Sequence, residues 1–208
     1  MTTAVWWVRR DLRLADNQAL ATALVRAESV VPVFVLAPAS AARDHNPKQE
    51  AFQLAGLRLL DEDLRRRGSR LVVRRGDPQV ELRAVVQETG ATHIVAEEEA
   101  TPDGRELDAH LAEELPLLLA GGLTVHPPGA VLSAAGRPYT VFTPFARAWK
   151  ALPLPSPGDP LPAPAALPPH DLEGRLPGKP SAPNADEEGG VLAQRPALAP
   201  EIWPAMCH

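Results

Sequence analysis

Through its first half the chain alternates short apolar, β-branched runs with longer stretches whose apolar residues recur at helical spacing. This is the pattern of βαβ units and a parallel sheet. The first run, Ala4 to Val8, predicts a strand, and a helix follows with Asp16 as its cap and Leu20, Leu24 and Val25 as its apolar stripe. Val30 to Leu36 is apolar almost without a break, as in a strand covered on both faces. Pro32 within it has no N–H to donate, so the residues before it are expected to lie outside the main ladder. A long helix is expected from Pro47 to Arg67, with Phe52, Leu54, Leu57, Leu60 and Leu64 on its inner face and Gly68 as its stop.

Further on, Arg70 to Gly76 predicts a third strand, and Asp77 to Gly90 a helix closed by its glycine. Thr92 to Glu98 predicts a fourth strand, Gly104 to Leu115 a helix after the break at Pro102, and Leu123 to Pro128 the fifth strand. A last helix opens near Pro144, with Phe145, Ala148 and Trp149 on one face. The fold class expected is α/β, a doubly wound five-stranded parallel sheet of Rossmann-like type. From residue 151 the pattern breaks down, for 14 of the 24 prolines fall in the last 58 residues. Residues 1–150 are therefore taken as one domain, and 151–208 as a Pro-rich linker and irregular tail.

Composition narrows the functions available. No apolar run approaches the roughly 18 residues of a membrane span, and the first residues lack the basic leader of a secretory signal, so a cytoplasmic protein is expected. The single cysteine, Cys207, excludes a disulfide framework and a multi-cysteine metal site. Residues 1–150 carry 18 Lys and Arg against 19 Asp and Glu, without the basic surplus expected of a domain that grips DNA by itself. The turns after the strands hold neither a G-x-G-x-x-G nor a P-loop sequence, which argues against a generic nucleotide-dependent enzyme.

The most distinctive segment is WWVRRDLRLADNQAL, Trp6 to Leu20. Its charged residues follow a strand directly, at the sheet edge where open α/β folds bind ligands. Arg10, Asp11 and Arg13 suit an ion-pair network that pins this strand to the next helix. Trp6 and Trp7, on alternating sides of a strand, are read as core residues facing opposite layers. Glu97, Glu98 and Glu99 are read as a solvated loop at a strand end, because adjacent side chains cannot converge on one ion.

WWVRRDLRLADNQAL strongly resembles the opening of the DNA photolyase and cryptochrome family. The resemblance continues in order through VVPVFVLAP, GSRLVVRRGDP, ATHIVAEEEATPDGRELD and GRPYTVFTPFARAWK, and so covers about residues 4 to 150. It implies the family's N-terminal α/β domain, which holds an accessory antenna pigment, a folate, a deazaflavin or a flavin, beside the sheet. It also implies a partner, a helical domain that carries FAD, contacts DNA and does the photochemistry. No motif of that domain is found here, so a truncated or frame-shifted chain without repair activity of its own is expected, and no catalytic or metal-binding residue is assigned. A stand-alone pigment- or nucleotide-binding module and a cryptochrome fragment stay open as alternatives.

Position by position, the resemblance makes Arg9 a wall of the pigment cleft. Phe34 and Leu36 would offer apolar contact, Lys48 would open the long helix beside it, and Glu99, Thr101 and Arg105 would supply polar contacts. Two positions depart from the pattern. Gln49 stands where relatives commonly have an arginine, and Asp103 where many have an aromatic or aliphatic residue.

Overall fold

The computed structural model describes residues 2–36, 47–153 and 160–173, all within the first of two compact units, Met1–Leu176. Five strands, β1 (Thr3–Val8), β2 (Ser29–Leu36), β3 (Val72–Arg75), β4 (His93–Glu98) and β5 (Leu117–Gly122), form one parallel sheet in the order β3-β2-β1-β4-β5. Between them run α1 (Gln18–Arg26), α2 (Pro47–Arg66), α3 (Pro78–Thr89) and α4 (Pro102–Glu114), with α5 (Phe142–Lys150) after the last strand. None of the described helices is long and apolar enough to cross a membrane.

The sheet is doubly wound. Ala4, Trp6 and Val8 of β1 pack with Leu20 of α1 and with Leu54, Leu57, Leu60 and Leu64 of α2. The alternate residues Val5 and Trp7 face Leu82 and Val85 of α3 and Leu111 of α4. The two tryptophans thus serve opposite layers, as strand alternation requires. A fully buried leucine stabilises a fold by about 1.5–3 kcal/mol, so the α2 row, Leu57, Leu60 and Leu64, is a principal attachment of that helix to the sheet.

Several local expectations change. The fifth strand is Leu117–Gly122, before the predicted Leu123 to Pro128 segment. Helix α4 is closed at Leu115, Pro116 cannot extend it, and the apolar run that follows pairs at once with Ile94, Val95 and Ala96. Leu123 and Val125 lie beyond the sheet edge and are exposed. Helix α1 is capped by Asn17, whose Oδ1 accepts from the Leu20 N–H at 2.7 Å, while Asp16 takes a left-handed turn with φ of 50°. Val25 and Phe52, assigned to apolar faces, are exposed. Each lies two residues from an inward position, Ala23 or Leu54, which places it on the far side of its helix. Pro32 sits within the β1–β2 register opposite Trp6, and pairing begins at Ser29. The proline is tolerated because β3 joins the other side only from Val33 onward.

Part of the Pro-rich segment packs on the domain. Residues 160–173 form neither helix nor strand, yet Leu167 is buried in the layer of α1 and α2, and Leu172 packs against the opposite layer. The Leu161 carbonyl accepts from the Asp16 N–H, Leu167 N–H donates to the Arg67 carbonyl at 2.8 Å, and the Arg67 guanidinium reaches the Pro164 carbonyl. Proline removes donors but leaves carbonyls, and here the carbonyls do much of the fastening.

Candidate functional site: a crevice at the carboxyl edge of the sheet

Strand order reverses between β1 and β4. In an open parallel sheet the loops leaving such a pair diverge to opposite faces and leave a crevice at the carboxyl ends. The β1 end supplies Arg9, Arg10 and Asp11, and the β4 end supplies Glu97, Glu98 and Glu99.

Arg9 is held on three sides. Its Nη1 pairs with Asp108 Oδ1 of α4 at 2.6 Å, its Nη2 donates to the Glu97 carbonyl, and its guanidinium lies 4.6 Å from the Trp7 ring centre. The Arg9 N–H donates to Asp11 Oδ1 at 2.9 Å, and Asp11 Oδ2 receives the Asn17 amide at 2.8 Å. Asp11 is therefore the pin between strand and helix that the sequence suggested. Arg13 bonds the Asp16 carbonyl within the same turn.

Arg10 is exposed and pairs with Glu99 at 3.3 Å. A cavity of about 530 Å³ lies towards β5, bounded by Gln18, Glu98, Gly121 and Val125, and one of about 460 Å³ lies towards α4, bounded by Arg9, Asp103 and Leu107. Arg10, Glu99 and Thr101 belong to both, so the ion pair stands between the two. Thr101 also caps α4, its Oγ1 accepting from the Gly104 N–H. Glycine is required at 104, for a Cβ there would lie 2.7 Å from Glu99 Cβ and 2.8 Å from Thr101 Oγ1. At Gly121, with φ of 72°, the Gln18 side chain rests where a Cβ would stand. Cavities of these sizes suit a small organic ligand, with a few polar groups fixing its orientation.

The residues singled out from the sequence separate into two groups. Arg9, Glu99 and Thr101 converge on the crevice, while Arg105 lies exposed in the first turn of α4. Phe34 is buried in the core, Leu36 packs at its edge, and Lys48 is exposed at the start of α2. The chain between Leu36 and Pro47 lies outside the described residues.

Glu97, expected from the sequence in a solvated loop, is instead 4% exposed, and neither carboxyl oxygen has a hydrogen-bond partner. It continues the inward register of Val95 on the last turn of β4. Burial, reinforced by the nearby Asp11 carboxylate, raises its pKa from 4.5 to about 7, against the opposing pull of Arg13.

Comparison with known proteins adds lineage to this geometry. A family model described as DNA photolyase matches residues 4–165. A deoxyribodipyrimidine photo-lyase of Streptomyces griseus is 39% identical over 168 residues, which are 73% of this chain and 35% of that protein. An uncharacterised 31.6 kDa protein of a Synechococcus species is 38% identical over 167 residues, covering 76% of this chain and 58% of its own length. Among solved structures, a class III photolyase from Agrobacterium tumefaciens superposes with a TM-score of 0.77 at 29% identity, covering 88% of this chain and 39% of that one. The chain thus spans from about a third to three fifths of the length of these relatives.

Proposed function

The chain belongs to the DNA photolyase family, and from that premise we propose that it serves as the family's N-terminal antenna domain, holding a light-absorbing pigment in the crevice between β1 and β4. The pigment class is a folate, a deazaflavin or a flavin. The observation that carries this reading is the pair of cavities meeting at Arg10, Glu99 and Thr101, at the point where the strand order of the sheet reverses. Arg9, locked by Asp108, forms a fixed wall, and Glu99 and Thr101 offer acceptors to the ring edge of a flat ligand. Arg105, Phe34, Leu36 and Lys48 line neither cavity, so a part for them in holding the pigment rests on the family resemblance alone.

Light energy taken up by such a pigment would pass to FAD in a helical domain, where the deoxyribodipyrimidine chemistry belongs. The absence of a basic surplus in residues 1–150 fits DNA contact through that domain alone. Helix α5 has no buried residue, and Val141 and Phe142 are strongly exposed, which suits a face that the helical domain covers.

The test is reconstitution. The 208-residue protein, mixed in turn with a folate, a deazaflavin and a flavin and then freed of unbound pigment by gel filtration, is expected to retain one of them with a shifted absorbance spectrum. A Thr101→Tyr substitution, which fills the crevice, is expected to abolish retention, and a protein that retains none of the three would overturn the reading. Illuminated with ultraviolet-damaged oligothymidylate and reduced FAD, the same protein is expected to leave the dimers intact.

A further inference from the structure

Independently of any pigment, the crevice contains a device that the family likeness does not account for. Glu97 is buried at the base of the cleft, and apart from the Gln18 backbone N–H that points towards it, its carboxyl oxygens have no hydrogen-bond partner. Buried carboxyl groups are ordinarily hydrogen-bonded, and an ionised one without a partner is strongly unfavourable. The void beside it, lined by Arg9, Arg10, Asp11 and Leu123, measures about 10 Å³, room for one water at most.

The charged surroundings offer no ready compensation. From the turn after β1, Asp11 faces it with both carboxylate oxygens already engaged by the Arg9 N–H and the Asn17 amide. Asp16 adds a second negative charge, and Arg13, the cation that acts most strongly on it, is tied to the Asp16 carbonyl. From α1 only the Gln18 backbone N–H is oriented towards it. At the end of β4 Glu98 is exposed, just beyond it Glu99 is paired with Arg10, and Asp108 of α4 is committed to Arg9.

Asp11 makes this arrangement mechanical. It holds the Arg9 backbone on one side and, through Asn17, the first turn of α1 on the other. Any force on Asp11 is transmitted to both walls of the cleft. We propose that Glu97 is a proton-operated latch on the crevice: with its carboxyl neutral the 9–17 turn lies against β4, and loss of the proton drives Asp11 away and opens the cleft at Arg9 and Arg10.

The direction with pH follows from linkage. The closed state holds the proton up to about pH 7, whereas a solvated carboxyl gives it up near 4.5. Closure is therefore firmest below pH 4.5, weakens by about tenfold per unit as pH rises between these values, and levels off above 7.

Amide hydrogen exchange on the full chain, corrected for intrinsic rates, tests this. Protection of Arg9 and Leu20, whose N–H groups are held by Asp11 and Asn17, is expected to fall about tenfold per unit between pH 5 and 7 and then level off. Protection of Ile94, bonded to the Pro116 carbonyl, is expected to stay constant. In Glu97→Gln all three are expected to be level, and Glu97→Leu supplies a second neutral side chain should the glutamine disturb packing. The carboxyl carbon of Glu97 in the unmodified protein gives a reading that needs no variant. The latch is overturned by a carboxyl titration near 4.5, by flat protection in the unmodified chain, by an equal decline at Ile94, or by the same decline in the neutral variants.

Discussion

At Arg9 a single guanidinium joins three elements, pairing with α4 through Asp108, with the end of β4 through the Glu97 carbonyl, and with β1 through the Trp7 ring. Its side chain is 11% exposed and that of Asp108 is 3%, so removing either partner strands a charge away from water. Asp108→Ala is expected to cost about 3–5 kcal/mol in urea unfolding, and replacing both residues by apolar ones is expected to recover much of that loss. A loss below about 1 kcal/mol, as for an exposed pair, would show that the pair is solvated in solution. At this scale the sequence was legible where alternation alone decides, as with Trp6 and Trp7. It was opaque at Glu97, because three adjacent glutamates look alike until the register of β4 is known to a single residue. Asp16 and Asn17 were confused for a similar reason, since either can cap a helix and only the backbone turn selects between them.

Among the elements, the strands and helices with strong periodicity were readable, and β5 was not. Its six residues, Leu-Leu-Leu-Ala-Gly-Gly, carry no alternation and directly follow a helix end, so nothing local separates strand from linker. What selects it is the neighbouring edge of β4. The segment 160–173 shows the opposite limit, because its prolines exclude regular structure but do not prevent packing. It carries its own titratable group. His170 sits with its Nε2 at 2.9 Å from the Arg70 carbonyl, to which it donates as the neutral ring, and its Nδ1 is buried without a partner. Burial holds its pKa below the ordinary 6.5. A histidine of depressed pKa stabilises the fold above the unfolded value, and that contribution is lost as pH falls below 6.5 towards the folded one. Protection of the Leu167 amide is thus expected to fall as pH drops below 6.5, opposite in sign to the change at Arg9. His170→Phe is expected to remove this dependence, and persistence of the fall in that variant would assign it elsewhere.

For the whole molecule, the packed unit does not end where the regular elements do. Residues 160–173 touch both layers, through Leu167 and Ala163 on one side and Leu172 on the other, and tie the α1 turn to the connection between α2 and β3. Long-range contacts of this kind close a loop that spans most of the chain, so their energy appears only once the rest of the fold exists. A chain ending at Pro153 keeps every strand and helix but exposes the site of Leu167. Loss of one such buried leucine costs about 2–5 kcal/mol, against a total stability of about 5–15 kcal/mol for a domain of ordinary size. The chain 1–153 is therefore expected to unfold at markedly lower urea than the chain 1–176, and Leu167→Ala in the longer chain is expected to reproduce a large part of the difference. Equal midpoints for the two lengths would mean that the segment merely rests on the surface. If the midpoints differ but Leu167→Ala has little effect, the stabilisation lies in the backbone bonds at Asp16 and Arg67 instead of in the buried leucine.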